Sequence, residues 1–232
     1  MQQKTSIWKL LQANSDRLNA IPTDRTQLAN SRHVHKLKDI LIGQAIFLGA
    51  IVLFMWMLEA VDLSLTRVDL DMFGIQPRTL VGLRNIFFSP FLHVGFGHLL
   101  ANTIPFIVLG WMVLVRGVRD FVTVSIIAGV VSGLGVWLLG GAGTVTLGLS
   151  GVVFGYLGYL LARGYYERSL VAIILAVVAV FLYGGMIFGV LPIRSGVSWL
   201  GHLFGLVGGV IAAYVLVRSK RGRRWQGDKV TG

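Results

Sequence analysis

Six runs of mainly apolar residues, at 40–60, 96–115, 121–139, 147–162, 170–188 and 197–217, constrain this chain more than any other feature. A helix of roughly 20 apolar residues crosses a bilayer, and most of these runs approach that length. Inside hydrocarbon every backbone N–H and C=O needs a partner from its own chain, so such runs read as helices. The expected fold is therefore an all-α membrane protein, a six-transmembrane-helix bundle. Composition agrees, with 55% of residues hydrophobic and 13% charged, against roughly 45–50% and 25% in soluble domains. A disordered chain is excluded on the same ground. The 30 Gly, beside 5 Pro, suit closely packed membrane helices.

The formal net charge of +11 would suggest nucleic-acid binding in a soluble chain. The placement of the basic residues argues against it. They gather in a polar segment at 1–39 and a tail at 218–232, which leaves a six-span core at 40–217. The polar, basic start does not read as a cleaved signal peptide. Six spans put both ends on one side. The tails, with the segments around Arg116/Arg119 and Arg163/Arg168, then hold 17 of the 21 Lys and Arg, while Arg67, Arg78, Arg84 and Arg194 lie opposite. The positive-inside rule makes that richer side cytoplasmic, as in a bacterial-type cell membrane. The lipid bilayer is the expected partner of the basic tails, and no nucleic acid is implied. With 0 Cys there is no disulfide framework, Cys-based zinc site or thiol nucleophile.

Two segments outside the spans carry alternatives. Residues 61–96 hold Asp62, Asp69, Asp71, Phe87, Phe88 and Phe91 and read as an amphipathic segment in the outer interface, or else as a passive connector. Ile7, Trp8, Leu10, Leu11, Leu18 and Ile21 form a short amphipathic helix or belong to a disordered tail.

Polar groups within spans are costly and are functional hypotheses by default. His98 and Asn102 are four apart on the second span, about 40° apart around a helix, with His93 near its start. As single residues they also read as hydrogen-bonding glue between helices. Ser150 follows the Gly-rich run 140–148 and sits in Gly148-Leu149-Ser150-Gly151. That run suits irregular backbone, so the fourth span is expected to be short and to start inside the membrane, where protein or a water-filled cavity must cover it. A Ser at a helix N-terminus lies beside unpaired N–H groups suited to an oxyanion, or merely caps the helix. On the sixth span His202 shares a face with Gly205 and Gly209, and Gly151, Gly155 and Gly158 line the fourth. Alone, His202 reads as a packing histidine. Two Gly-lined helices can approach closely enough for a serine on one and a histidine on the other to meet. No carboxylate is well placed as a third member: Glu59 and Asp62 end the first span, and Asp120 and Glu167 lie at the cytoplasmic side.

Gly-x-Ser-Gly on the fourth span, His202 with Gly205 and Gly209 on the sixth, and His-x4-His-x3-Asn on the second together resemble the rhomboid family of intramembrane serine proteases. The resemblance covers about residues 40–217. It implies a rhomboid-like bundle in which Ser150 is the nucleophile and His202 the general base, with His98, Asn102 and the Ser150 backbone N–H as the oxyanion hole. His93, Arg84, Gly148, Gly151, Phe154, Gly205 and Gly209 would be structural support. Leu83 stands where the family usually has Trp before the Arg, and Phe154 where some members have Tyr. No metal or cofactor is implied. The implied substrates are single-span membrane proteins cut near the outer edge of the bilayer, at a small residue followed by helix-loosening residues. By the same resemblance Phe181, Tyr183, Met186 and Phe188 form a mobile gate, and residues 189–198 a cap. The rival reading is a non-proteolytic rhomboid-like protein that binds membrane clients; such relatives typically lack the Ser, the His or both.

Overall fold

Apolar runs without charge satisfy their backbones internally, and among the described residues the long elements are all α-helices. The computed structural model describes residue 9 and residues 12–16, 25–64, 69–193 and 198–230. The helices are α1 (Arg25–Ser64), α2 (Leu80–Asn85), α3 (Gly95–Leu114), α4 (Val118–Leu139), α5 (Ser150–Glu167), α6 (Leu170–Tyr183) and α7 (Trp199–Val230). Short 3-10 turns occupy Leu70–Phe73, Ser89–Phe91 and Gly184–Val190. The chain divides into two units, Met1–Phe47 and Leu48–Gly232. In the first, the described residues are largely the N-terminal part of α1. The amphipathic residues expected between Ile7 and Ile21 lie outside the described residues, as do Arg67 and Arg194.

Among the described residues five helices are long and apolar enough to cross a membrane: Val34–Ser64 within α1, α3, α4, Leu170–Val190 and Trp199–Ser219 within α7. The expected fourth span, α5, is not among them. Its Gly residues, Tyr156, Tyr159, Tyr165, Tyr166, Arg163 and Glu167 dilute its apolar character. It packs against α3, α4, α6 and α7, and every residue from Gly151 to Leu160 is buried. The fifth run, expected as one span to residue 188, is a candidate span over Leu170–Val190 that changes helix type along its length. The α-helix stops at Tyr183, and Gly184 and Gly185, poor helix formers, lead into a 3-10 turn. The first run extends backward to Arg25, because hydropathy marks only apolar residues and no Gly or Pro interrupts 25–42.

Glycine sets the contact between α5 and α7. A Cβ on Gly205 would overlap the Gly151 carbonyl, one on Gly209 the Gly155 carbonyl, and one on Gly158 the Leu206 carbonyl. The two backbones therefore touch along two turns. Across the bundle, Ser132 of α4 donates from Oγ to the Gly201 carbonyl at 2.8 Å.

At the end of α5 away from Ser150 the packing is ionic. Arg163 is 2% exposed and pairs with Asp120 at 2.7 Å; its Nε donates to Glu167 at 2.5 Å, and it also donates to the Tyr159 hydroxyl. Arg116 joins Glu167 at 2.7 Å. This network ties α4, α5 and the turn before α4 together.

The described part of the segment between α1 and α3 has structure of its own and is more than a passive connector. Asn85, fully buried, donates from Nδ2 to the carbonyls of Met72 and Gly74, at 3.2 and 3.0 Å, and folds the loop on itself. The loop then grips the run before Ser150. Ile75 and Thr146 exchange both backbone hydrogen bonds, at 2.7 and 3.0 Å. Arg78 Nη1 donates to Gly140 O at 2.8 Å, and the Ser89 carbonyl accepts Gly148 N–H at 2.9 Å.

Candidate active site

Gly148 has φ +118°, a conformation that side-chain-bearing residues rarely adopt, and it turns the chain into α5. Leu149 is the N-cap and no side chain caps the helix. Ser150 is the first helical residue, so it does not play the capping role that a lone Ser at this place suggests. The first N–H groups of α5 have no partner within the helix.

His98 and Asn102 converge on this turn from α3. A Cβ on Gly148 would lie 2.8 Å from Cε1 and 3.1 Å from Nε2 of His98, and 3.7 Å from Nδ2 of Asn102. Glycine at 148 thus lets two ring and amide nitrogens come up to the backbone just before Ser150. Asn102 Nδ2 also donates to the His98 carbonyl at 3.3 Å, which steadies the pair on one face. His93 stands behind them. Its Nε2 accepts the Leu149 N–H at 3.4 Å, and its ring meets that of His98 edge-on at 5.2 Å. Burial, reinforced by His98, pushes the His93 imidazole down to about 4, so it is neutral and able to accept.

His202 lies in the first turns of α7. Its ring is stacked on Phe154 of α5, and its Nδ1 is 2.9 Å from the Gly189 carbonyl. A carbonyl only accepts, so this hydrogen bond requires a proton on Nδ1, and a neutral ring then has its lone pair on Nε2. Ser150, His202, His98 and Asn102 all line one cavity of about 1340 Å³, with Phe154 in its wall. No carboxylate is among the described residues that line it. Asp62 accepts the Leu70 N–H at 2.6 Å, Glu59 takes a backbone hydrogen bond from Gly95, and Asp120 and Glu167 bind Arg163. Among the described residues no three His, Asp or Glu side chains converge as a metal ion would require.

Of the expected gate, Tyr183, Met186 and Phe188 line the cavity, whereas Phe181 is 86% exposed and does not. Residues 194–197 of the expected cap lie outside the described residues. Arg84 does not reach the cavity; it donates to the Asn85 side chain at 3.3 Å and so acts on the loop. Gly151, Gly205 and Gly209 sit in the α5–α7 seam described above. Sequence reasoning missed Asn85 and Ser132, and it placed Gly189 only at the start of the cap. Asn85 and Ser132 looked like ordinary polar residues, and Gly189 contributes only a carbonyl, which no residue type announces.

A sequence model of the Rhomboid domain matches residues 82–219. The uncharacterized protein Rv1337 of Mycobacterium tuberculosis is 37% identical over 212 residues, which is 88% of this chain and 87% of that protein. The uncharacterized protein ML1171 of Mycobacterium leprae is 40% identical over 178 residues, 73% of this chain and 70% of its own. A Bacillus subtilis protein named "Putative rhomboid protease YdcA" is 29% identical over 135 residues, 57% of this chain and 66% of its own.

Proposed function

This chain belongs to the rhomboid family and is an integral membrane protein, and from that premise we propose that it is an intramembrane serine endopeptidase acting on single-span membrane proteins. The observation that carries the reading is that Ser150 of α5 and His202 of α7 line one cavity with His98 and Asn102 of α3.

In this mechanism His202 Nε2 takes the Ser150 hydroxyl proton as Oγ attacks the scissile carbonyl carbon. The carbonyl oxygen becomes an oxyanion and is received by the Ser150 backbone N–H, His98 and Asn102. His202 then protonates the departing amine nitrogen as the C–N bond breaks, leaving an ester on Ser150. Water attacks that ester with His202 again as base, releasing the carboxylate product and restoring the serine. No step needs a metal, a cofactor or a carboxylate.

The same proposal makes α5 the fourth of six spans, short and beginning below the outer surface because its neighbours enclose it. Both termini are cytoplasmic, supported by the 17-to-4 division of Lys and Arg. Cleavage then falls near the outer edge of the bilayer. The test is labelling of purified protein, in detergent and in liposomes, with a fluorophosphonate serine-hydrolase probe. Labelling of the parent, lost in Ser150→Ala and His202→Ala, is the expected result. A parent that takes no label in either medium would favour a client-binding protein instead.

A further inference from the structure

We propose that the Gly189 carbonyl is the positioning group of the general base, so that the 3-10 turn Gly184–Val190 must be seated against His202 for the base to be in its working tautomer. The proposal rests on the reading of Ser150 and His202 as a dyad.

A neutral imidazole holds one proton on one of two nitrogens, and only a lone pair at the nitrogen facing Ser150 can act as base. Serine hydrolases with an acidic third member fix that choice with a carboxylate. Among the described residues, the Gly189 carbonyl lies 2.9 Å from Nδ1 of the His202 ring, and no carboxylate lines the cavity. Phe154 fixes the plane of the ring, with centroids 4.1 Å apart and 7° between planes. A stack cannot tell the ring from its copy turned over by 180°, nor one nitrogen from the other. The carbonyl can, because it accepts at 2.9 Å only from a protonated Nδ1.

Residue 189 is suited to this by what it lacks. A Cβ there would lie 2.9 Å from Phe154 Cζ and 3.2 Å from His202 Nδ1, so a side chain would force the carbonyl away from the imidazole. The turn that carries it is a 3-10 helix, whose hydrogen bonds are poorer than those of an α-helix. It is also a wall of the cavity, through Met186 and Phe188, so a segment entering past that wall acts on the element that holds the base. When the turn is displaced, the Nδ1–H bond is lost and the proton is shared between Nδ1 and Nε2. A molecule with the proton on Nε2 cannot deprotonate Ser150. The position of the turn therefore sets the fraction of molecules with a competent base.

The experiment is nitrogen NMR of the full chain in detergent with 15N-labelled histidine, the His202 signals being identified by their loss in His202→Gln. The parent is expected to show His202 protonated at Nδ1 and unprotonated at Nε2. Gly189→Ala is expected to show a mixture of tautomers and fluorophosphonate labelling slower by about tenfold, the factor that one ordinary hydrogen bond supplies, with a cooperative melting transition retained. Three results would overturn the proposal: a parent His202 protonated at Nε2, a Gly189→Ala protein that loses labelling with an unchanged tautomer, or one with mixed tautomers and full labelling. The parent spectrum decides even if the variant does not fold. If Ser150→Ala still takes the label, the dyad reading fails on its own, separately from the tautomer.

Discussion

The ring of Phe154 on α5 lies flat against the imidazole of His202 on α7, 7° from parallel. Stacked aromatic pairs contribute about 0.5–1.5 kcal/mol beyond simple burial. Phe154→Leu keeps most of the apolar volume and loses the stack, so labelling at Ser150 should slow by roughly three- to tenfold. Phe154→Tyr keeps the ring and should label like the parent. Labelling rates of the two variants beside the parent decide it; a Leu variant as fast as the parent would mean that the stack does not orient the base.

His98 and Asn102 approach the turn at Gly148 with ring and amide nitrogens. If they receive the oxyanion, either alanine variant should lower kcat by about 10²–10³ and leave KM nearly unchanged, because the charge exists only in the transition state. Steady-state cleavage of a single-span substrate in liposomes measures both constants. A change confined to KM would place these residues in substrate binding.

Gly209 has no room for a methyl group, since its Cβ would overlap the Gly155 carbonyl, whereas Gly97 has no neighbour within 4 Å of its Cβ position. Gly209→Ala should destabilise by about 1–3 kcal/mol through overpacking. Gly97→Ala should stabilise by about 0.4–1 kcal/mol by restricting the unfolded chain. Melting temperatures in one detergent test the contrast in sign.

Much of this arrangement was legible from residue types alone. Charge-free apolar runs announce helices, and glycines at helical spacing on the fourth and sixth runs announce that two backbones meet there. Ser150 and His202 stand out because a polar group inside such runs needs a reason. The limits have physical causes as well. Hydropathy reports solvation by lipid, so it could not mark the polar continuation of α1 back to Arg25 or the glycine-led tightening after Tyr183. Asn85 works by gathering two loop carbonyls, and Ser132 by holding one carbonyl 69 residues away in the chain. Main-chain acceptors have no sequence signature, so the partners of both stayed hidden until the fold brought them together.

The stability of the fold should depend on pH through His93. Burial lowers its folded pKa from 6.5 to about 4. Between those values the unfolded chain takes up the proton and the folded chain does not. Stability is therefore full above about pH 6.5 and falls as the pH drops toward 4, by about 3 kcal/mol for this group. His93→Gln offers Leu149 N–H a carbonyl acceptor that does not titrate. Melting curves from pH 7 to 4 should show a shallower decline for that variant than for the parent; parallel declines would assign the acid sensitivity to other groups.

Arg163 and Asp120 form a buried pair, 2% and 4% exposed in their side chains. Removing one partner leaves a buried charge unpaired, at a cost of about 3–5 kcal/mol, whereas replacing both with apolar residues restores much of the loss. Arg163→Met and Asp120→Leu should each lower the melting temperature, and the double variant should recover toward the parent. A double variant no better than the worse single one would mean that the loss comes from Glu167 and Tyr159 being deprived of Arg163, not from an unpaired Asp120.

Under the proposed function, enclosure of α5 also separates the depth of the reaction from the thickness of the lipid. Residues 151–160 are buried against neighbouring helices, while Ile126 of α4 and Val177 and Phe181 of α6 face outward. Shorter or longer acyl chains create a mismatch that the outward-facing helices absorb by tilting, at fractions of a kcal/mol per Å. The helix bearing Ser150 has no lipid contact along that stretch through which such a mismatch could act. Its height is set by glycine contacts with α7 and by the Arg163 network, so under the proposed mechanism the chemistry would keep its level in membranes of different composition while the outer helices adjust around it.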